Sequence, residues 1–264
     1  MAAISETQAS KAAQILWNNW RGSTRLDGLP DDCRPATRRD GYSVQAAVAR
    51  AAGQPSVGWK IAATSEAGQK HINVDGPLAG RLLRDRVLPP RTPIPFVNNL
   101  MRVAEAEFCF RLARDLPAKG SSYSPDEATA AVASAHPSIE IPDSRYNDFP
   151  RAGAPQLIAD TACANWLAIG PAFAETWRSL DLAAHKIEVS TNGSFTRAGT
   201  GAAVLGDPRI AFAWIANELV ANGEALRQGD YVTTGTWVVP VPIKSGDTIA
   251  VDYGSLGKFA VTIA

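Results

Sequence analysis

The chain of 264 residues balances 26 Lys and Arg against 26 Asp and Glu, so it carries no net field to draw in nucleic acid or anionic lipid. Its three cysteines, Cys33, Cys109 and Cys163, are odd in number, widely spaced and free of any CxxC, which argues against a disulfide framework and fits reduced thiols. No apolar run approaches the roughly 20 residues of a membrane span, and the first residues lack the basic-then-apolar profile of a signal peptide, so a soluble cytoplasmic chain is expected.

From residue 6 to 21, apolar side chains recur at Ala9, Ala12, Ala13, Leu16, Trp17 and Trp20, the spacing of an amphipathic helix that Gly22-Ser23 ends. After a turn-rich connection with Pro30 and Pro35, Tyr42, Val44, Ala47, Val48 and Ala51 predict a second helix, stopped by Gly53-Gln54-Pro55. Residues 1–56 therefore read as a small helical N-terminal region. From Val57 the texture changes to short apolar runs at 57–63, where Lys60 interrupts, and at 91–97, and residues 57–264 read as a strand-rich body. Between these runs Gly68, Asp75-Gly76-Pro77 and Gly80 punctuate Ser65 to Gly80, a loop or short helix suited to a lid.

The next run, Arg102 to Leu112, places two carboxylates inside a half-buried strand. Strand side chains alternate faces, so Val103, Glu105, Glu107 and Cys109 share one face while Ala104, Ala106, Phe108, Phe110 and Leu112 form an apolar one. Two carboxylates at close range raise one pKa or recruit a cation when solvent is scarce; on an edge strand they are simply solvated. Ser124-Pro125-Asp126-Glu127 is a capping box with proline in the first turn, predicting a helix to about Ala135 that His136-Pro137 halts. Ser138 to Asp143 then sets a third glutamate, Glu140, between Ile139 and Ile141 and facing away from them. Asp207-Pro208 opens a helix that ends at Asn222-Gly223. Turns at Gln228-Gly229-Asp230 and Ser245-Gly246-Asp247 each feed a strand, and Gly254 to Gly257 is a hairpin loop into 258–263.

Taken together, Gly58-Trp59-Lys60-Ile61, the Ala104 to Glu107 strand, Ile139-Glu140-Ile141-Pro142-Asp143-Ser144-Arg145, Ile158 to Ala162, and the run from Gly229-Asp230 through Asp247 to Gly257 resemble the 2-oxopent-4-enoate hydratase/4-oxalocrotonate decarboxylase family of the fumarylacetoacetate hydrolase superfamily. The resemblance covers roughly residues 40 to 264. It implies an α+β fold with a mixed β-roll or sandwich core, a homo-oligomer, and a Mg2+ or Mn2+ ion held by Glu105, Glu107 and Glu140. Carboxylates suit such hard ions, whereas the three histidines have no zinc spacing. A 2-oxo or 2-enol carboxylate would chelate that ion, which stabilises charge developing at C2.

The implied reaction is addition of water to a 2-hydroxy-2,4-dienoate, giving a 4-hydroxy-2-oxo acid, as in aromatic meta-cleavage catabolism. Decarboxylation of a 2-oxo-3-enedioate, C–C hydrolysis of an acylpyruvate, and a non-catalytic subunit supporting a partner enzyme are the alternatives. Lys60 matches the family's lysine, placed to orient substrate or move a proton, or else to neutralise the glutamates. Asp75 matches the first acid of the family's lid, a catalytic candidate or a turn former; the second acidic position is Leu78 here, which leaves proton handling at the substrate's far end open. Arg145 can bind substrate carboxylate or pair with Asp143 or Asp160, and Thr234 and Thr236 match a segment that orients substrate. His71, His136, Cys109 and Trp237 are lesser candidates, each explained by solvent, dipole or packing.

Overall fold

A computed structural model describes residues 3–264. Both N-terminal helices form where the periodicity places them, α1 at Glu6–Gly22 and α2 at Arg38–Ala52, each opened by a capping box, at Ser5 with Gln8 and at Thr37 with Asp40. Their apolar faces meet in a cluster of their own that includes Leu16, Trp17, Val44 and Val48 and reaches Leu83, Tyr146 and Ala159 of the body.

Two sheets make up the rest. The larger is mixed and contains β1 (Ser56–Ala62), β2 (Leu78–Leu83), β3 (Val87–Leu88), β4 (Val103–Leu112), β5 (Val132–Ile141) and β6 (Trp166–Ile169). A four-stranded antiparallel sheet contains β7 (Lys186–Thr191) and β8 (Ser194–Thr200), while β9 (Tyr231–Thr236) and β10 (Val241–Pro242) return to the first sheet and β11 (Thr248–Asp252) and β12 (Lys258–Thr262) complete the second. The order in the large sheet is β2-β1-β9-β4-β5-β6-β3, with β10 on β4, and only β1/β9 and β3/β6 are parallel. Helices α3 (Glu66–His71), α4 (Pro125–Thr129), α5 (Ala154–Ala159) and α6 (Pro208–Ala221) flank the sheets.

Three sequence expectations need correction. The helix opened at Ser124 stops at Thr129, and β5 begins at Val132 rather than after His136-Pro137. Pairing with β4 along Val132 to Glu140 outweighs the local helical signal, and the β6 ladder starts only at Ser138, so Pro137 interrupts no β5–β6 pairing. The run at 91–97 forms no strand beyond a single bridge of Ile94 with Ile263; Pro93 and Pro95 remove two donors from it. The lid region is a short helix and turn only as far as Pro77, because Leu78 to Gly80 belong to β2.

Strand β4 is the axis of the core. Phe108 and Phe110 on its apolar face pack with Trp177, Phe173, Phe212 and Trp237, ring centroids 5.1–6.3 Å apart. The glutamates point to its other face, which is buried at Glu107 and Cys109 and partly buried at Val103 and Glu105.

Candidate metal centre and substrate cavity

The antiparallel register of β4 and β5 sets Glu105 directly opposite Glu140. Glu107, two residues along β4, lies on the same face, and one carboxylate oxygen from each of the three lies within 4.8 Å of the others. Oxygens bound to one ion at 2.0–2.6 Å lie no further apart than about 5 Å, so this spacing fits a single Mg2+-to-Ca2+-sized cation. Glu107 and Glu140 are fully buried, and Glu105 is half-buried at the wall of a cavity of about 810 Å³.

Burial raises the pKa of all three. It is the largest influence on Glu107, which the charges of Glu140 and Glu105 push higher still, and it takes Glu140 up to about 7 although Lys60 pulls the other way. Burial alone would lower Lys60, but Glu140, Glu105 and Glu107 outweigh it and hold the ammonium charged. Lys60 Nζ stands 3.2 Å from Glu140 Oε1 and donates to the Ala162 carbonyl at 3.1 Å. Glu107 Oε1 and both oxygens of Glu140 accept no hydrogen bond. Two buried carboxylates with open lone pairs, a half-buried third and one ammonium need further positive charge, from protons or from a cation.

The backbone around the triad is tightly held. Glu107 Oε2 accepts from the Gly235 amide at 2.9 Å, and its carbonyl accepts from the Tyr253 hydroxyl at 2.7 Å. Gly235 has φ +96°, and a Cβ there would meet Thr64 Oγ1 at 2.2 Å, so glycine is required. The Thr234 hydroxyl donates to the Phe108 carbonyl at 2.9 Å, tying β9 to β4. Next to Lys60, Thr161, Ala162 and Cys163 are consecutive left-handed residues, φ 52°, 49° and 62°, a conformation that persists only where surroundings enforce it.

Arg145 is the enforcer. Its guanidinium pairs with Asp160 and donates to the carbonyls of Asp160 and Ala164 and to Thr161 Oγ1, while Asp160 also accepts from the Ser144 hydroxyl and the Arg145 amide. The structure thus brings Lys60, Glu105, Thr236 and Leu78 to the cavity wall, with Glu107 and Glu140 behind it. It does not bring Arg145, Thr234 or Asp75 there. Asp75 is 87% exposed and pairs with Arg38 of α2 at 3.1 Å. His71 does line the cavity, whereas His136 is engaged by Ser134 and the Gly170 carbonyl. Thr64, Leu157 and Trp237 join the wall. Of these only Trp237 carried a sequence signal, following the Thr234-Gly235-Thr236 segment.

A mixed α+β body that buries two glutamates and half-buries a third beside a lysine, at a large cavity, is an arrangement that could hold a divalent cation. Residues 78–264 match the family described as "Fumarylacetoacetate (FAA) hydrolase C-terminal", and the chain belongs to the fumarylacetoacetate hydrolase family. It is 32% identical over 257 residues to a 2-keto-4-pentenoate hydratase of Burkholderia vietnamiensis (strain G4 / LMG 22486), covering 96% of each chain. It is 31% identical to a 4-oxalocrotonate decarboxylase of Pseudomonas sp. (strain CF600), covering 86% of each. Among solved structures, the 4-oxalocrotonate decarboxylase from Pseudomonas putida G7, complexed with magnesium and adipate, superposes over 100% of both chains with a TM-score of 0.89 at 26% identity. Among the described residues no helix is long and apolar enough to cross a membrane.

Proposed function

We propose that the chain is a hydro-lyase that hydrates a 2-hydroxy-2,4-dienoate to a 4-hydroxy-2-oxo acid, with Glu105, Glu107 and Glu140 holding Mg2+ or Mn2+. The observation that carries this reading is the buried, hydrogen-bond-poor glutamate triad beside Lys60 at the cavity wall. An ion held there supplies Lewis-acid stabilisation of negative charge on a 2-oxo carboxylate. Lys60 pairs with the C1 carboxylate and exchanges a proton at the C2 oxygen. Thr236, whose hydroxyl donates to the Val238 carbonyl at 2.8 Å, keeps a lone pair for a substrate hydroxyl, and Leu78 packs on the carbon skeleton. Arg145 and Thr234 act by positioning: one shapes the segment that anchors Lys60, the other seats the Gly235 amide on Glu107. The exposed Asp75 fastens the turn before β2 to α2 and takes no part in the chemistry.

Support for residues 1–56 as a region distinct from a catalytic body of 57–264 comes from the separate apolar cluster of α1 and α2. A homo-oligomer is supported by the exposed Val97 and Leu100 on the segment before β4, and a reducing cytoplasmic setting by the three free, buried cysteines. The same triad suits decarboxylation of a 2-oxo-3-enedioate, the activity named for two of the similar proteins. Following loss of the dienol chromophore and release of CO2 together, with Mg2+ and both substrate types, separates the two. Chromophore loss without CO2 is expected; CO2 release from the enedioate as the faster reaction would replace hydratase with decarboxylase.

A further inference from the structure

We propose that the cavity selects dienoates whose distal end is uncharged and apolar, extends well beyond a terminal vinyl group, and bears no second carboxylate. This rests on the hydratase reading only for the head group. Among the described residues, the two charged side chains on the cavity wall are Lys60 and Glu105, and both sit at the glutamate cluster. No arginine lines it. The remainder is largely apolar, contributed by Ile72 beyond α3, Leu78 of β2, Leu157 of α5, and Val238 and Val239 of the β9–β10 loop.

Position as well as composition favours an apolar tail. The second sheet closes this wall: Gly199 of β8 approaches so near that a Cβ there would lie 1.9 Å from the Trp237 carbonyl. That contact holds Ala198 and Gly199 against the apolar loop, so no long polar side chain enters from β8. A volume of about 810 Å³ lies in the range of about 300–1,000 Å³ typical of sites enclosing drug-sized ligands and is several times that of a five-carbon acid. A second carboxylate carried into this space loses water and meets no arginine or free lysine; His71, its ring edge-on to Phe149 at 6.0 Å, is the remaining basic side chain on the wall.

The test uses saturated 2-oxo acids, which have no C=C bond for the enzyme to hydrate, as calorimetric probes with Mg2+ present. The probes are 2-oxopentanoate, 2-oxohexanoate, 2-oxooctanoate, 4-phenyl-2-oxobutanoate and 2-oxohexanedioate. Affinity is expected to rise about fourfold per added methylene, the fold-change of about 0.8 kcal/mol per buried CH2. The dicarboxylate is expected to bind at least about tenfold more weakly than a monoacid of equal length. Val239→Arg, at a residue 68% exposed and on the cavity wall, is expected to reverse that last ordering. Affinity independent of chain length, or a dicarboxylate bound as tightly as the monoacid by the unmodified protein, overturns the proposal. Turnover of the matching dienols keeps the two readings apart: the expected ladder with no dienol consumed upholds the apolar tail site and removes the hydratase assignment.

Discussion

Arg145 with Asp160 and Lys60 with Glu140 are both ion pairs sealed inside the protein, yet their surroundings differ. Arg145 and Asp160 make a network with Ser144, Thr161 and two backbone carbonyls that leaves no side-chain nitrogen or oxygen of either without a hydrogen bond. Around Lys60, three carboxylates crowd one cation, and Glu107 Oε1 and both Glu140 oxygens are left without a hydrogen bond. A satisfied buried pair holds backbone in place, whereas an unsatisfied one is costly unless something else binds there. The first cluster explains how a left-handed run at 161–163 survives, and the second is the one proposed to hold the ion.

The largest effect expected from breaking this contrast is at Lys60. Lys60→Met should lower kcat/KM by about 10²–10⁴-fold, the usual weight of a proton-transferring group, while calorimetry still detects metal on the triad. Arg145→Ala should cost about 3–5 kcal/mol in denaturant unfolding, because Asp160 is left charged and buried. Arg145→Lys should recover less than half of that, since an ammonium cannot reach the carboxylate, the carbonyls and Thr161 together.

A third expectation concerns pH. The raised carboxyls bind protons more tightly in the folded chain than in the unfolded one, so the metal-free protein should lose stability as pH rises from about 4.5 through about 7. Bound cation displaces those protons, and metal affinity should therefore keep climbing through pH 7 instead of levelling near pH 5 as ordinary carboxylates would. Melting temperature against pH, with and without Mg2+, reads both trends. Smallest of all, Asp75→Asn should leave turnover within about twofold and stability within about 0.5 kcal/mol, as befits an exposed ion pair.

Much of the glutamate cluster is legible in the sequence, because period-two alternation is local: Glu105 and Glu107 share a face whatever the strand pairs with. That Glu140 lies directly opposite Glu105 depends on the β4–β5 register, which the sequence suggested only through family resemblance. Other features depended on partners far along the chain. The capping box at Ser124 correctly opened α4, but only pairing with β4 reveals that Val132 to Ala135 are strand. Arg145 was readable as either a substrate or a structural group until Asp160 lay beside it, and nothing local marks Tyr253 as the donor to the Glu107 carbonyl. The hairpin of β7 and β8 has a local signal, Asn192-Gly193 at its two-residue turn.

The central claim is that the unsatisfied glutamates are a divalent-cation site. Calorimetric titration of Mg2+ into the unmodified protein and into Glu107→Gln tests it most directly. One ion bound per chain by the unmodified protein, with affinity at least about a hundredfold weaker in Glu107→Gln, is the predicted result. Equal binding by both proteins, or none by the unmodified one, would contradict it.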